Sequence, residues 1–107
     1  MKYELLFILQ YIENLESMRM LWHLNLNNHM IEKIERLDNL TQLRELHLVS
    51  NCISKIEGLD CLVHLTVLNL SGNLIESLPS SLFKKLRELQ VFRIAHNKLG
   101  SVSIGIL

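Results

Sequence analysis

The chain has little of what usually points to a chemistry or a charged partner. Its 107 residues hold two cysteines, one proline and four glycines, and aromatics make up only 6%. Cys52 and Cys61 form no Cys-x-x-Cys spacing, which excludes a disulfide framework and a thiolate zinc site. Lys plus Arg equals Asp plus Glu at 11 each, so no net field draws the protein toward nucleic acid or an anionic membrane. The one local excess, Lys84, Lys85 and Arg87, is followed by Glu88 and reads as a solvated helix face. No Pro/Gly/Ser-rich stretch offers a linker, so a single domain over 1–107 is expected. The run Leu5, Leu6, Phe7, Ile8, Leu9 is too short to span a bilayer. It is also shorter than a signal-peptide core, follows Glu4 and lacks a small-residue cleavage site. A soluble chain of the cytoplasm is the expectation.

Leucine is abundant instead, and it is periodic. LWHLNLNNHMI at Leu21, LRELHLVSNCI at Leu43, LTVLNLSGNLI at Leu65 and LQVFRIAHNKL at Leu89 are four copies of one phrase, at spacings of 22, 22 and 24 residues. We number positions from the first residue of each phrase. Such self-similarity, with leucine at positions one, four and six, is the signature of leucine-rich repeats. The units are a partial leading repeat at 1–20, repeats at 21–42, 43–64 and 65–88, and a truncated repeat at 89–107.

Positions four and six (Leu24 and Leu26, Leu46 and Leu48, Leu68 and Leu70, Phe92 and Ile94) alternate with polar or small residues, as in a short strand with one buried face. Stacked units set these strands side by side in a parallel sheet. Beyond the strand, the apolar residues fall at every third place: Ile31, Ile34, Leu37, Leu40, Leu43, then Ile53, Ile56, Leu59, Leu62, Leu65. An α-helix would turn that row about 60° backward at each step, whereas three residues per turn keep it on one side. The return path is therefore expected as 3₁₀ turns or tight coil. In the third unit Ile75, Leu78, Leu82, Leu86 and Leu89 are spaced three or four apart, and Pro79 followed by Ser80 and Ser81 marks a helix start, which predicts a short α turn there. The fold class is thus α/β: a leucine-rich repeat solenoid with a short curved parallel sheet on the concave side and 3₁₀ or short helical turns on the convex side.

Position nine carries Asn51, Asn73 and Asn97, where the chain leaves the strand. A buried amide there both donates and accepts, pairing backbone groups that would otherwise cost about 1–3 kcal/mol each. His29 stands at this position in the first unit. Neutral imidazole offers one donor and one acceptor, so the structural ladder His29, Asn51, Asn73, Asn97 should be weakest at His29.

The phrase LRELHLVSNCISKI with EGLDCLVHL after it, and its neighbour LWHLNLNNHMIEKIERLDNLTQL, resembles the intracellular 22-residue subfamily of leucine-rich repeat proteins, which includes protein phosphatase-1 regulatory subunits. YIENLE, KIERLDNL, LREL before His47, ISKIEGL and LPSSLFKKL are similar in order and spacing to the amino-terminal repeats of centriolin-like centrosomal and midbody proteins. The likeness spans residues 11–102. It implies a protein-binding scaffold at the centrosome, cilium or other cytoskeletal structure, with a phosphatase-regulatory surface as the alternative. Such proteins continue into further repeats and coiled coils, whereas this sequence has no heptads and closes on GSVSIGIL. Ile12, Leu15 and Met18 match the second half of a unit for which no strand phrase precedes. A fragment, a splice form without independent function, or a family relative is the reading those two departures suggest.

The inner sheet surface should carry positions two, three, five, seven and eight. Trp22, His23, Asn25, Arg44, Glu45, His47, Asn69 and Arg93 are the candidate protein-binding residues, since Trp and Arg concentrate binding energy in interfaces. A row of Trp22, Arg44 and Arg93 is the sharpest form of that expectation; a merely solvated polar face is the bland one. His23 and His47 lie on adjacent strands, but two ligands do not hold zinc and no third is evident from spacing, so no metal is assigned. Cys61 with His64 suggests a nucleophile and base, yet Cys61 reads more simply as a small filler beside Leu62. The glycines are scattered, and Glu32, Glu35, Asp38, Glu57 and Asp60 recur with the repeat. Neither a phosphate cradle nor a carboxylate pair follows. The expectation is a protein that is not an enzyme, with a protein partner, no cofactor and no small-molecule substrate.

Overall fold

The computed structural model describes residues 2–4, 12, 15 and 17–100, with side chains from Ile12 onward. The apolar run at 5–9, most of YIENLE and the tail at 101–107 lie outside the described residues. Strands β1 (Lys2–Glu4), β2 (His23–Asn25), β3 (Glu45–His47) and β4 (Val67–Asn69) precede a four-residue helix α1 (Leu82–Lys85), and β5 (Val91–Arg93) follows it. All five strands pair in parallel, in sequence order. Equivalent phrase positions lie opposite one another: Leu24, Leu46, Leu68 and Phe92 form one continuous row.

Strand β1 adds a strand that the leucine phrase did not announce. A strand does precede Ile12, and Tyr3 is in register with Leu24. The leucine phrase was the wrong signal there, because backbone pairing requires an extended segment at the right distance and not the full side-chain pattern.

The strands β2 to β5 span positions three to five, yet the pairing between units runs further. The position-six N–H groups of Leu26, Leu48 and Leu70 donate to His47, Asn69 and Arg93 at 2.8–2.9 Å. Position-eight N–H groups of Asn28, Ser50 and Gly72 donate to Val49, Ser71 and Ala95 over the same range. Position eight itself is left-handed in every unit, with φ of 60° at Asn28, 57° at Ser50, 73° at Gly72 and 56° at His96. Here the chain breaks out of the strand and turns back over the core.

On the return path the expected three-residue rhythm is realised as chained turns. Leu40 N–H donates to Leu37 C=O, Leu43 to Leu40, Leu62 to Leu59 and Leu65 to Leu62, at 2.9–3.1 Å. Each bond closes a turn three residues long, so each apolar side chain returns to the same side. Every one of Ile31, Ile34, Leu37, Leu40, Leu43, Ile53, Ile56, Leu59, Leu62 and Leu65 is buried. In the third unit Leu78, Leu82 and Leu86 come inward with helical spacing. The helix begins at Leu82 and not at Pro79; Leu82 N–H closes a turn onto Pro79 C=O, and Ser81 makes no side-chain cap. Phe83, partly exposed, meets Phe92 of β5 edge-on at 5.5 Å.

Candidate functional site

The ladder fixes the sheet on which a site can stand. Asn73 accepts the Ile53 N–H at 3.0 Å through Oδ1, and its Nδ2 donates to Leu48 C=O at 2.9 Å and to Leu70 C=O at 3.0 Å. Asn51 accepts from Ile31 N–H at 3.1 Å and donates to Leu26 C=O at 3.0 Å. Asn97 accepts from Ile75 N–H at 3.0 Å and donates to Leu70 C=O at 2.9 Å. One amide thus ties its own turn to the turn of the preceding unit, where no water is needed to satisfy either. His29 occupies the same position and is also buried.

On the concave side the residues stand in rows across the strands. Position two gives Trp22, Arg44, Thr66 and Gln90. The Trp22 carbonyl accepts from both Arg44 and Glu45 N–H, at 2.8 and 3.0 Å, so the backbones of Trp22 and Arg44 are fastened together. Trp22 is 44% exposed despite its size, and Arg44 is exposed beside it. Arg93 does not join them. It lies at position five, in the row Asn25, His47, Asn69, Arg93, and β4 separates it from His47. The expected row of Trp22, Arg44 and Arg93 is therefore a pair and an outlier, because position two of the last phrase is Gln90.

Three further candidates come together tightly. His23 pairs directly with Glu45 across the strands, and His47 lies two residues beyond Glu45 on the same face. Glu45 Oε1 is 3.3 Å from His47 Nε2 and 3.7 Å from His23 Nε2. The two imidazoles are 5.2 Å apart, and Trp22 meets the His23 ring edge-on at 5.9 Å. Sequence spacing missed Glu45 as the carboxylate between the histidines. The signal was present, since residues in register on neighbouring strands face the same way, but it required the register to be known.

Asn25 and Asn69 turn out to be partly engaged. Asn25 Oδ1 accepts the Asn27 N–H at 2.9 Å, and Asn69 Oδ1 accepts the Ser71 N–H at 3.2 Å. These side chains brace the strand exit and keep only their amide NH₂ groups for other contacts. Asn28, Ser50, Gly72 and His96, placed on the inner surface by counting, belong to the left-handed exit turn.

On the convex side Cys61 is exposed, so it is not a filler beside Leu62. His64 Nδ1 contacts Glu88 Oε2 at 2.8 Å, and Lys85 Nζ contacts Asp60 Oδ2 at 3.1 Å. Both pairs join neighbouring units at the surface, where such contacts contribute about 0–1 kcal/mol. No helix among the described residues is long and apolar enough to cross a membrane.

A leucine-rich repeat family model matches residues 63–105. No curated protein matches the chain. Among solved structures, an internalin (InlF) from Listeria monocytogenes is 26% identical, with a TM-score of 0.74, covering 82% of this chain and 26% of that one. Internalin C2 from the same bacterium is 28% identical, with a TM-score of 0.73 and coverage of 83% and 38%. The functional domain of InlJ, also from Listeria monocytogenes and including a cysteine ladder, shares the fold at 21% identity and a TM-score of 0.70, with coverage of 90% and 20%. The chain thus spans between 20% and 38% of the length of these structures. Parallel three-residue strands, chained convex turns, an asparagine ladder and these likenesses agree: the chain is built of leucine-rich repeats.

Proposed function

We propose that the chain is a non-enzymatic protein-interaction module that presents its concave sheet to one protein partner. The observation that carries this reading is the cluster of Trp22, Arg44, His23, Glu45 and His47 over two adjacent strands, with a large aromatic left exposed where the core has no use for it. Interface energy concentrates in such Trp and Arg anchors, and the ladder beneath them holds the strands in place, so little ordering cost attends binding. Arg93 and Asn69 form the outer margin of the contact. The resemblance over residues 11–102 extends the proposal to a scaffold at the centrosome or another cytoskeletal structure in the cytoplasm, with a phosphatase-regulatory subunit as the role the 22-residue subfamily implies.

A pull-down with the natural chain and a Trp22→Ala, Arg44→Ala, Arg93→Ala variant tests it. Loss of a hot spot costs about 2 kcal/mol or more, on the order of thirtyfold in affinity, so partner recovery should collapse in the variant. Equal recovery of every partner by a variant that retains its fold would move the site off the inner sheet. Dividing the triple variant sharpens the result: Trp22→Ala should cost more than Arg93→Ala, because Arg93 stands apart from the cluster.

A further inference from the structure

We propose that His23, Glu45 and His47 form a binding site for a zinc-class divalent cation on the concave face. This goes beyond the protein-binding reading and stands or falls separately from it. Each of the three side chains offers one ligand atom, and these atoms lie within 4.8 Å of one another. A tetrahedral zinc ion with bonds of about 2.0–2.2 Å sets its ligand atoms about 3.3–3.6 Å apart. Of the two imidazole-to-carboxylate separations, 3.3 Å has that length and 3.7 Å is just beyond it. The edge between the two histidine ligand atoms is no longer than 4.8 Å.

The ligand set fits the same ion. Two imidazole nitrogens and one carboxylate oxygen are donors for zinc and neighbouring first-row metals, and three protein ligands leave a fourth position open. The parallel register fixes the backbone of all three, since His23 lies opposite Glu45 and the Asn25–His47 pair is the next same-face step. All three side chains are partly buried, with 16%, 33% and 21% exposure for His23, Glu45 and His47, so water surrounds the site on one side only. The open position faces out from the sheet, toward water or a donor atom of whatever lies against the concave surface.

Trp22 is the chain's single tryptophan and touches His23, so its fluorescence reports on the site directly. The test titrates the purified chain with Zn²⁺ by calorimetry and with Cu²⁺ by quenching of Trp22. Glu45→Gln, His47→Gln and His64→Gln are compared, each checked for an unchanged circular dichroism spectrum. We expect one ion per chain, binding at least about tenfold weaker in Glu45→Gln and in His47→Gln. His64→Gln, on the convex side, should bind as the natural chain does. Absence of saturable binding, or binding by Glu45→Gln and His47→Gln as tight as that of the natural chain, would mean an adventitious ion only and would overturn the site. If His47→Gln does not fold, Glu45→Gln with Cu²⁺ quenching decides alone, since Glu45 supports neither the core nor the ladder.

Discussion

Strands β3 and β4 have a paired neighbour on both sides, whereas β5 has a described neighbour on one side only, and the side chains record the difference. Leu46, Leu48, Leu68 and Leu70 are fully buried, but Phe92 and Ile94, at the same phrase positions, are only partly covered. The sequence pattern is the same in both places. What differs is the number of described neighbours, because in a solenoid each unit's burial is completed by its neighbours and not by itself. Position within the stack therefore matters as much as residue type, and equivalent substitutions should differ in cost along the row.

The largest contrast is in the core. Leu68→Ala removes a fully buried side chain with units on both sides and should destabilise by about 3–5 kcal/mol in urea unfolding. Ile94→Ala, partly exposed, should cost about half of that. Equal losses would break the comparison, showing that β5 is covered as fully as β4.

The asparagine ladder makes the same contrast with polar groups. Asn73→Ala leaves the Ile53 N–H and the Leu48 carbonyl without their side-chain partner in a buried setting, while the Leu70 carbonyl keeps its bond from Asn97; a loss of about 2–4 kcal/mol is expected. Asn97→Ala breaks an analogous set where the groups are partly open to water, so solvent replaces part of what is lost. About 1 kcal/mol is expected there. His29→Asn is the informative reverse experiment at the other end, because it restores the amide at a buried ladder position; the midpoint of unfolding should rise.

These contrasts show why some features were legible in the sequence and others were not. Buried aliphatic side chains obey a strict count, so Leu24, Leu46 and Leu68, the three-residue return path and the amide ladder could all be read from spacing. Strand β1 could not, because Tyr3 pairs through its backbone and its segment lacks the leucine phrase. Glu45 as the bridge between His23 and His47 needed the cross-strand register, which counting within one phrase does not supply. Arg93 was grouped with Trp22 and Arg44 by chemistry, whereas the sheet separates them by position and strand. The left-handed residues were missed because Asn28, Ser50, Gly72 and His96 share no side-chain property except that Asn and Gly tolerate the conformation.

Two left-handed positions on the return path separate backbone strain from crowding. Arg36 and Gly58 occupy the same place in successive units, with φ of 62° and 73°. Arg36 carries a side chain there, so the dihedral alone is tolerable, at about 1–2 kcal/mol. A Cβ on Gly58 would lie 2.4 Å from the Ile34 carbonyl oxygen, a contact with backbone that no rotamer change relieves. Gly58→Ala should therefore cost about 2–3 kcal/mol, more than the dihedral by itself. A loss under about 1 kcal/mol would mean that the turn at Ile34 shifts freely and that the convex path is less constrained than the sheet.

The smallest effect probes the strand exit. Ser50 holds φ at 57° where the next unit has Gly72 at 73°, so Ser50→Gly removes steric strain and adds backbone freedom to the unfolded chain. The two terms nearly offset, and a net gain of about 0.5 kcal/mol is expected. The Ser50 N–H donates to Ser71 C=O at 2.9 Å and does not involve the side chain, so pairing between the units survives the change. Removing the hydroxymethyl group also opens space opposite Gly72, whose nearest neighbours for an added Cβ are Ser50 Oγ at 3.2 Å and Ser50 N at 3.3 Å. Gly72→Ala alone should be destabilising by about 1–2 kcal/mol, from the left-handed backbone and this contact together. Combined with Ser50→Gly it should cost less than the sum of the two single changes, because one of the two crowding atoms is gone. Strict additivity in that double-mutant cycle would show that the exit turns of neighbouring units do not press on each other, and that the backbone dihedral alone governs position eight.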